Sequence, residues 1–111
     1  MAVRVKVRRA ESIMYAVVRV YQVDPARTSE IDEIVRQRFL PVVSRLAGLV
    51  SFCGIEAGHG KWISVTVFDS REAAEAVSGL AAQLVGQWLL PMVRQGPEIS
   101  VGEVVAYTRG E

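Results

Sequence analysis

The chain has one cysteine and one histidine, and these are the side chains that most often build metal and nucleophile sites. Cys53 alone closes no intrachain disulfide and forms no cysteine cluster, and in an apolar stretch it is expected to behave as a small buried hydrophobe. His59 alone leaves a catalytic triad or a multi-histidine metal site short of its usual members. There is no excess of either charge: 13 Lys and Arg stand against 12 Asp and Glu, a net charge of +1. That balance gives no footprint for nucleic acid, so no nucleic-acid partner is expected. The densest basic stretch, Arg4, Lys6, Arg8 and Arg9, reads as a solvated strand face or a loose tail. No apolar run approaches the roughly 18 residues that span a bilayer, so no membrane partner is expected either. The N-terminus alternates Val with Arg or Lys in place of the continuous apolar core of a signal peptide, which makes the cytoplasm the expected location.

What is present is the composition of a folded domain. Of 111 residues, 50% are apolar and 23% charged, enough for one core and too little charge for disorder. Residues 13–21 are rich in β-branched and aromatic side chains and read as a strand closed by Asp24-Pro25. Ser29 and Asp32 have capping-box spacing, and Ile31, Ile34, Val35, Phe39, Val42 and Leu46 recur as one helical stripe. Pro41 lies inside that stripe and predicts a kink or break. Residues 49–56 and 62–68 are strand-like, joined by a glycine-bracketed gap around His59 that suits a hairpin. Asp69-Ser70 predicts the start of a second helix, weakened by Gly79 and Gly86 and ended near Pro91. Residues 98–107 read as the last strand.

This order, βαββαβ, predicts an α+β ferredoxin-like fold with a four-stranded antiparallel sheet carrying both helices on one face. The opposite sheet face should then be polar in a monomer. Yet Tyr15, Val17 and Tyr21 alternate with Met14, Ala16, Val18 and Val20, so both parities of the first strand are apolar. The last strand repeats the pattern. A second copy is the simplest cover, and a homodimer is expected.

Four stretches carry a resemblance: Met14-Tyr-Ala-Val-Val-Arg, Leu40-Pro-Val-Val through Gly48-Leu-Val-Ser-Phe, Ile63-Ser-Val-Thr-Val-Phe-Asp-Ser-Arg, and Gly102-Glu-Val-Val. With the split-βαβ order they resemble the dimeric α/β-barrel superfamily, in its antibiotic-biosynthesis-monooxygenase-like branch. The resemblance covers about residues 13–108 and implies a dimeric α/β barrel. It divides the chain into an N-terminal extension, residues 1–12, and a domain over residues 13–111. The alternating Val3, Val5 and Val7 also suit an added edge strand. The resemblance further implies a cofactor-independent monooxygenase-like activity on a small hydrophobic or aromatic molecule, with no cofactor and no metal. Its alternative is a non-catalytic ligand-binding or scaffold dimer. Haem-degrading members use an asparagine on the first strand, a tryptophan ending the third and a helical histidine. Here the first strand has no asparagine, Phe68 ends the third, and the second helix has no histidine, so that chemistry is not expected.

Tyr15, Arg19, Trp62, Phe68 and Trp88 are the ligand-pocket candidates, and Tyr21 could supply comparable chemistry. His59 is a titratable candidate by residue type, but its glycine neighbours make it an expected exposed turn residue. Trp88, on the helical stripe, is expected to serve mainly as core. An inward Arg19 needs an acidic or anionic partner, which Glu103 could be, and a structural ion pair at the dimer interface is expected ahead of substrate binding.

Overall fold

The computed structural model describes residues 13–110. The proposed extension, residues 1–12, lies outside the described residues. Strand β1 (Tyr15–Val23) is central in the sheet, whose order is β2-β3-β1-β4 with every neighbouring pair antiparallel. This is the ferredoxin-like architecture expected from the order of elements.

The first helical arm starts earlier than the Ser29/Asp32 capping box predicts. Asp24 accepts a hydrogen bond from the Ala26 backbone N–H at 3.0 Å, and the fixed φ of Pro25 opens a 3₁₀ turn, Pro25–Arg27. Helix α1 (Thr28–Ile34) runs straight on from it, so Ser29 lies within the helix and Asp32 is free for a different task. Pro41 does disturb the helix, as a π-helical turn over Val35–Phe39 in place of a break. There the Leu40 N–H bonds back five residues to the Val35 carbonyl, and α2 (Leu40–Val43) follows. Proline cannot donate to the carbonyl four residues before it and its ring collides with that group. Widening the preceding turn accommodates both problems without ending the helix. Ile31, Val35 and Phe39 stay buried along one side.

Strands β2 (Leu49–Gly58) and β3 (Lys61–Phe68) form the expected hairpin. Gly58, His59 and Gly60 all have positive φ, at 86°, 56° and 76°. Two glycines adopt this conformation at little cost, and His59 is carried exposed at the tip. In the second arm the Ser70 hydroxyl accepts the Ala73 N–H at 3.1 Å and caps α3 (Arg71–Ala76). The arm is interrupted at Val77, just before Gly79, and continues as α4 (Ser78–Trp88). Pro91 sits in a 3₁₀ turn, Leu90–Met92, that leads into β4 (Val93–Glu103). No helix among the described residues is long and apolar enough to cross a membrane.

The last strand differs from expectation at both ends. It begins at Val93 and passes through Gly96-Pro97, where the register skips between Val20 and Gln22. A bulge on an edge strand is where a residue without an N–H is tolerated. It ends at Glu103, although the Val104 N–H still donates to the Met14 carbonyl at 2.8 Å.

Odd-numbered residues of β1 face the helices. Val17, Arg19, Tyr21 and Val23 are buried, and their partners Thr66, Ser64 and Trp62 on β3 are buried with them. On the opposite face Ala16, Val18 and Val20 pair with Val67, Val65 and Ile63, and Cys53 and Ile55 of β2 continue the row. This band is apolar and no helix covers it. Cys53 is therefore exposed in the single chain, contrary to the expectation of burial, because it belongs to an edge strand on the uncovered side.

Candidate functional site

The helix-facing side of the sheet supports two apolar clusters. One joins Tyr21, Val23 and Trp62 to Ile31, Val35, Phe39, Leu89 and Met92; the other joins Val17 and Phe68 to Ala74 and Val77. Between sheet and helices lies a cavity of about 70 Å³. Its floor is made by Arg19 and Tyr21 of β1, Phe52 of β2 and Trp62, Ser64 and Thr66 of β3. Its roof is made by Val35 and Phe39 of the first arm and by Leu80, Leu84 and Val85 of the second. Val42, Val43 and Leu46 line it near α2, and these three are only partly buried, as are Leu80, Ala81 and Leu84. The space therefore approaches the surface between the helical arms.

Strand alternation brings the polar floor residues together. Arg19 lies opposite Ser64 and Tyr21 opposite Trp62, all on the side that the helices cover. Trp62 is held by two features. Its indole Nε1–H donates to Asp32 Oδ1 of α1 at 2.9 Å, so the carboxylate freed from capping orients the ring. The ring lies over Gly54 on β2, where an added Cβ would come within 2.3 Å of the ring edge; only glycine leaves room.

Arg19 is 5% exposed. Among the described residues no hydrogen bond or ion pair is made by its side chain, and no aspartate or glutamate lines the cavity. Within the single chain Arg19 makes no pair with Glu103, which lies opposite Tyr15, four register pairs from the Ile99 that faces Arg19. Among the described residues no wholly occluded side-chain nitrogen or oxygen lacks a partner, so the guanidinium nitrogens are not sealed in protein and border open space. Burial pushes the Tyr21 phenol above its ordinary pKa, with the Arg19 charge pulling the other way. At neutral pH Tyr21 is therefore a protonated donor.

The structure brings Arg19 and Trp62 into the cavity and leaves Tyr15, Phe68 and Trp88 outside its wall. Tyr15 and Phe68 pair across β1 and β3 in the second cluster. Trp88 packs edge-on against Phe39, with ring centroids 5.2 Å apart, and Arg38 sits 5.9 Å from its centroid. Ser64 and Thr66 line the floor but are absent from the residues selected by sequence. Their signal was hydroxyl side chains alternating with Trp62 and Phe68 on a strand face that the helices cover.

No protein-family model matches the sequence, and no curated protein matches it. Solved structures do match. A protein of unknown function from Nitrosomonas europaea superposes with a TM-score of 0.77 at 14% identity, covering 91% of this chain and 98% of its own. The ActVA-Orf6 monooxygenase of Streptomyces coelicolor, solved with the ligand nanaomycin D, gives a TM-score of 0.68 at 17% identity and covers 96% and 99%. The haem degrader MhuD of Mycobacterium tuberculosis, with two haems in its active site, gives a TM-score of 0.68 at 20% identity and covers 86% and 99%. The chain has the fold of the antibiotic-biosynthesis-monooxygenase-like structures.

Proposed function

We propose that this chain is a homodimer that takes a small hydrophobic or aromatic molecule between its sheet and helices and oxygenates it without a cofactor. The carrying observation is the apolar cavity with Arg19, Tyr21 and Trp62 on one wall, in a fold shared with a ligand-bound monooxygenase. In such a reaction the substrate supplies the electrons: a molecule SH₂ and O₂ give the oxygenated product SO and one water. The Tyr21 phenol, whose pKa burial raises, can donate a hydrogen bond but does not serve as a base, so the proton that leaves must come from an already acidic position on the substrate. Arg19 favours the anion that results.

Haem degradation is outside the proposal. Among the described residues no histidine, cysteine or methionine lines the cavity, and His59 is exposed at the hairpin tip. The residues present do not fit an axial histidine beside a strand tryptophan.

The test is oxygen uptake with a dihydroxynaphthalene as probe. Consumption above the protein-free rate, reduced about tenfold or more in Arg19→Gln, supports the proposal. No uptake above that rate overturns it. One observation favours a second reading, a binding dimer without catalysis: His59 lies outside the cavity and no carboxylate lines it, so no ordinary general base is at hand. A thermal shift with the same probe but no oxygen uptake is the result that selects it.

A further inference from the structure

We infer that the molecule held in this cavity is an organic anion, with an apolar body under the helices and one carboxylate or phenolate oxygen on Arg19. The inference rests on the small-molecule reading of the cavity and adds the charge of the ligand. A guanidinium is fully charged and carries five N–H donors. Taken out of water without a counter-charge it is strongly penalised, and proteins keep such groups only where something pairs with them. Arg19 is 5% exposed, and none of the acids among the described residues reaches it. Of the two acids on the neighbouring strand, Glu103 is opposite Tyr15 and Glu98 is opposite Val20, on the other face of the sheet. The helical arms contribute only apolar side chains to the cavity. The charge left over on the floor has to be met from the cavity itself.

The neighbours of Arg19 suit an anionic oxygen better than a neutral one. Tyr21, two residues along the same strand face, keeps its phenol proton and can donate it in a hydrogen bond. Ser64 is directly opposite Arg19, and Thr66 is two residues further along β3; both are buried, both line the cavity, and their hydroxyls can turn to donate. One cation and three hydroxyls therefore share a wall that contains no carboxylate acceptor.

Size sets a further condition. An engineered apolar cavity of about 150 Å³ holds benzene, and a water occupies about 30 Å³. The 70 Å³ present here accommodates a carboxylate-sized group and little more. The apolar body must therefore enter by parting the half-buried side chains between the arms, Val42, Leu46, Leu80 and Leu84.

Benzoate and its neutral isostere benzamide are the probes, titrated calorimetrically into the full-length protein. Wild type should bind benzoate about tenfold or more tightly than benzamide, the difference expected of a charge-assisted contact in a desolvated site. Arg19→Met and Arg19→Gln should both lose that preference. Without any probe, Arg19→Met should melt at a higher temperature than wild type, because it removes an unpaired buried charge. Equal binding of the two probes leaves the small-molecule pocket standing and overturns the anion. Binding of neither probe overturns both. A lower melting temperature for Arg19→Met without probe means that a protein group, on this chain or on a second copy, already pairs with Arg19, and that also overturns the inference. The wild-type comparison decides the matter even where a variant fails to fold.

Discussion

At the scale of single residues, the site is built from side chains doing work other than what their local sequence suggests. Asp32 has the spacing of a capping residue, yet it accepts the Trp62 indole proton, because the helix had already begun at Asp24-Pro25. Tyr21 illustrates the electrostatics. Its phenol is raised above 10 by burial, which disfavours the phenolate in the folded chain. Above that pH the unfolded chain releases the proton first, so the folded state holds more protons and stability falls as pH rises. This contribution is fully present below about pH 10 and is lost as the pH climbs through the higher folded value. Urea melts between pH 8 and pH 11 should show a steeper loss for wild type than for Tyr21→Phe; parallel losses would contradict the burial of this phenol. The place of Arg19 and Trp62 on the cavity wall was legible because each puts a large polar or amphipathic side chain on the covered parity. Tyr15, Phe68 and Trp88 satisfy a similar pattern but pack in core positions, and nothing in a one-dimensional pattern separates a cavity wall from a core wall.

At the scale of elements, strands were read closely and helix ends less so. Alternation fixes which side of a strand faces the helices, and the β1–β3 register follows it residue by residue. The helical stripe was equally clear, but a stripe does not say whether proline breaks a helix or widens one turn of it. The π turn before Pro41 is a backbone solution that leaves the periodicity almost unchanged. The start of β4 was hidden for a related reason. Gly96-Pro97 looks like a loop, and only the edge position of the strand lets a bulge absorb it. The second arm offers a clean test of a feature that was legible. Ser70 caps α3 through its hydroxyl, so Ser70→Ala should destabilise the chain by about 1 kcal/mol and Ser70→Gly by only a few tenths. Chemical denaturation measures both. An Ala variant as stable as wild type would mean that the cap contributes nothing beyond what water supplies.

At the scale of the whole molecule, the sheet poses the remaining problem. Its helix-free face carries Ala16, Val18, Val20, Ile63, Val65 and Val67 in adjacent pairs, and Cys53 and Ile55 extend that band onto β2. Further apolar side chains follow along the other edge: Ile99 is 51% exposed, Val101 56% and Val105 90%. Ile99 and Val101 share the helix-side parity of Arg19 and Val17, so the helical layer stops short of β4. A monomer exposing both regions would be prone to association, and the self-complementary way to remove a flat apolar face is to place it against its own copy. That arrangement predicts about twice the chain mass by sedimentation at micromolar concentration, the behaviour of interfaces that bury roughly 1,200 Å² or more. It also predicts the chemistry of the one thiol. Cys53 is exposed in the single chain but lies opposite Val65, within the band that the second copy would cover. A thiol-specific chromogenic reagent should therefore modify Cys53 slowly in the native dimer, and fast in a Val18→Lys variant that places a charge at the centre of the band. A dimer whose Cys53 reacts as fast as a free thiol would show that the copies meet elsewhere, with β4 and the segment after it as the next surface to examine. A native monomer would leave the apolar band without its explanation and would sink the dimer altogether.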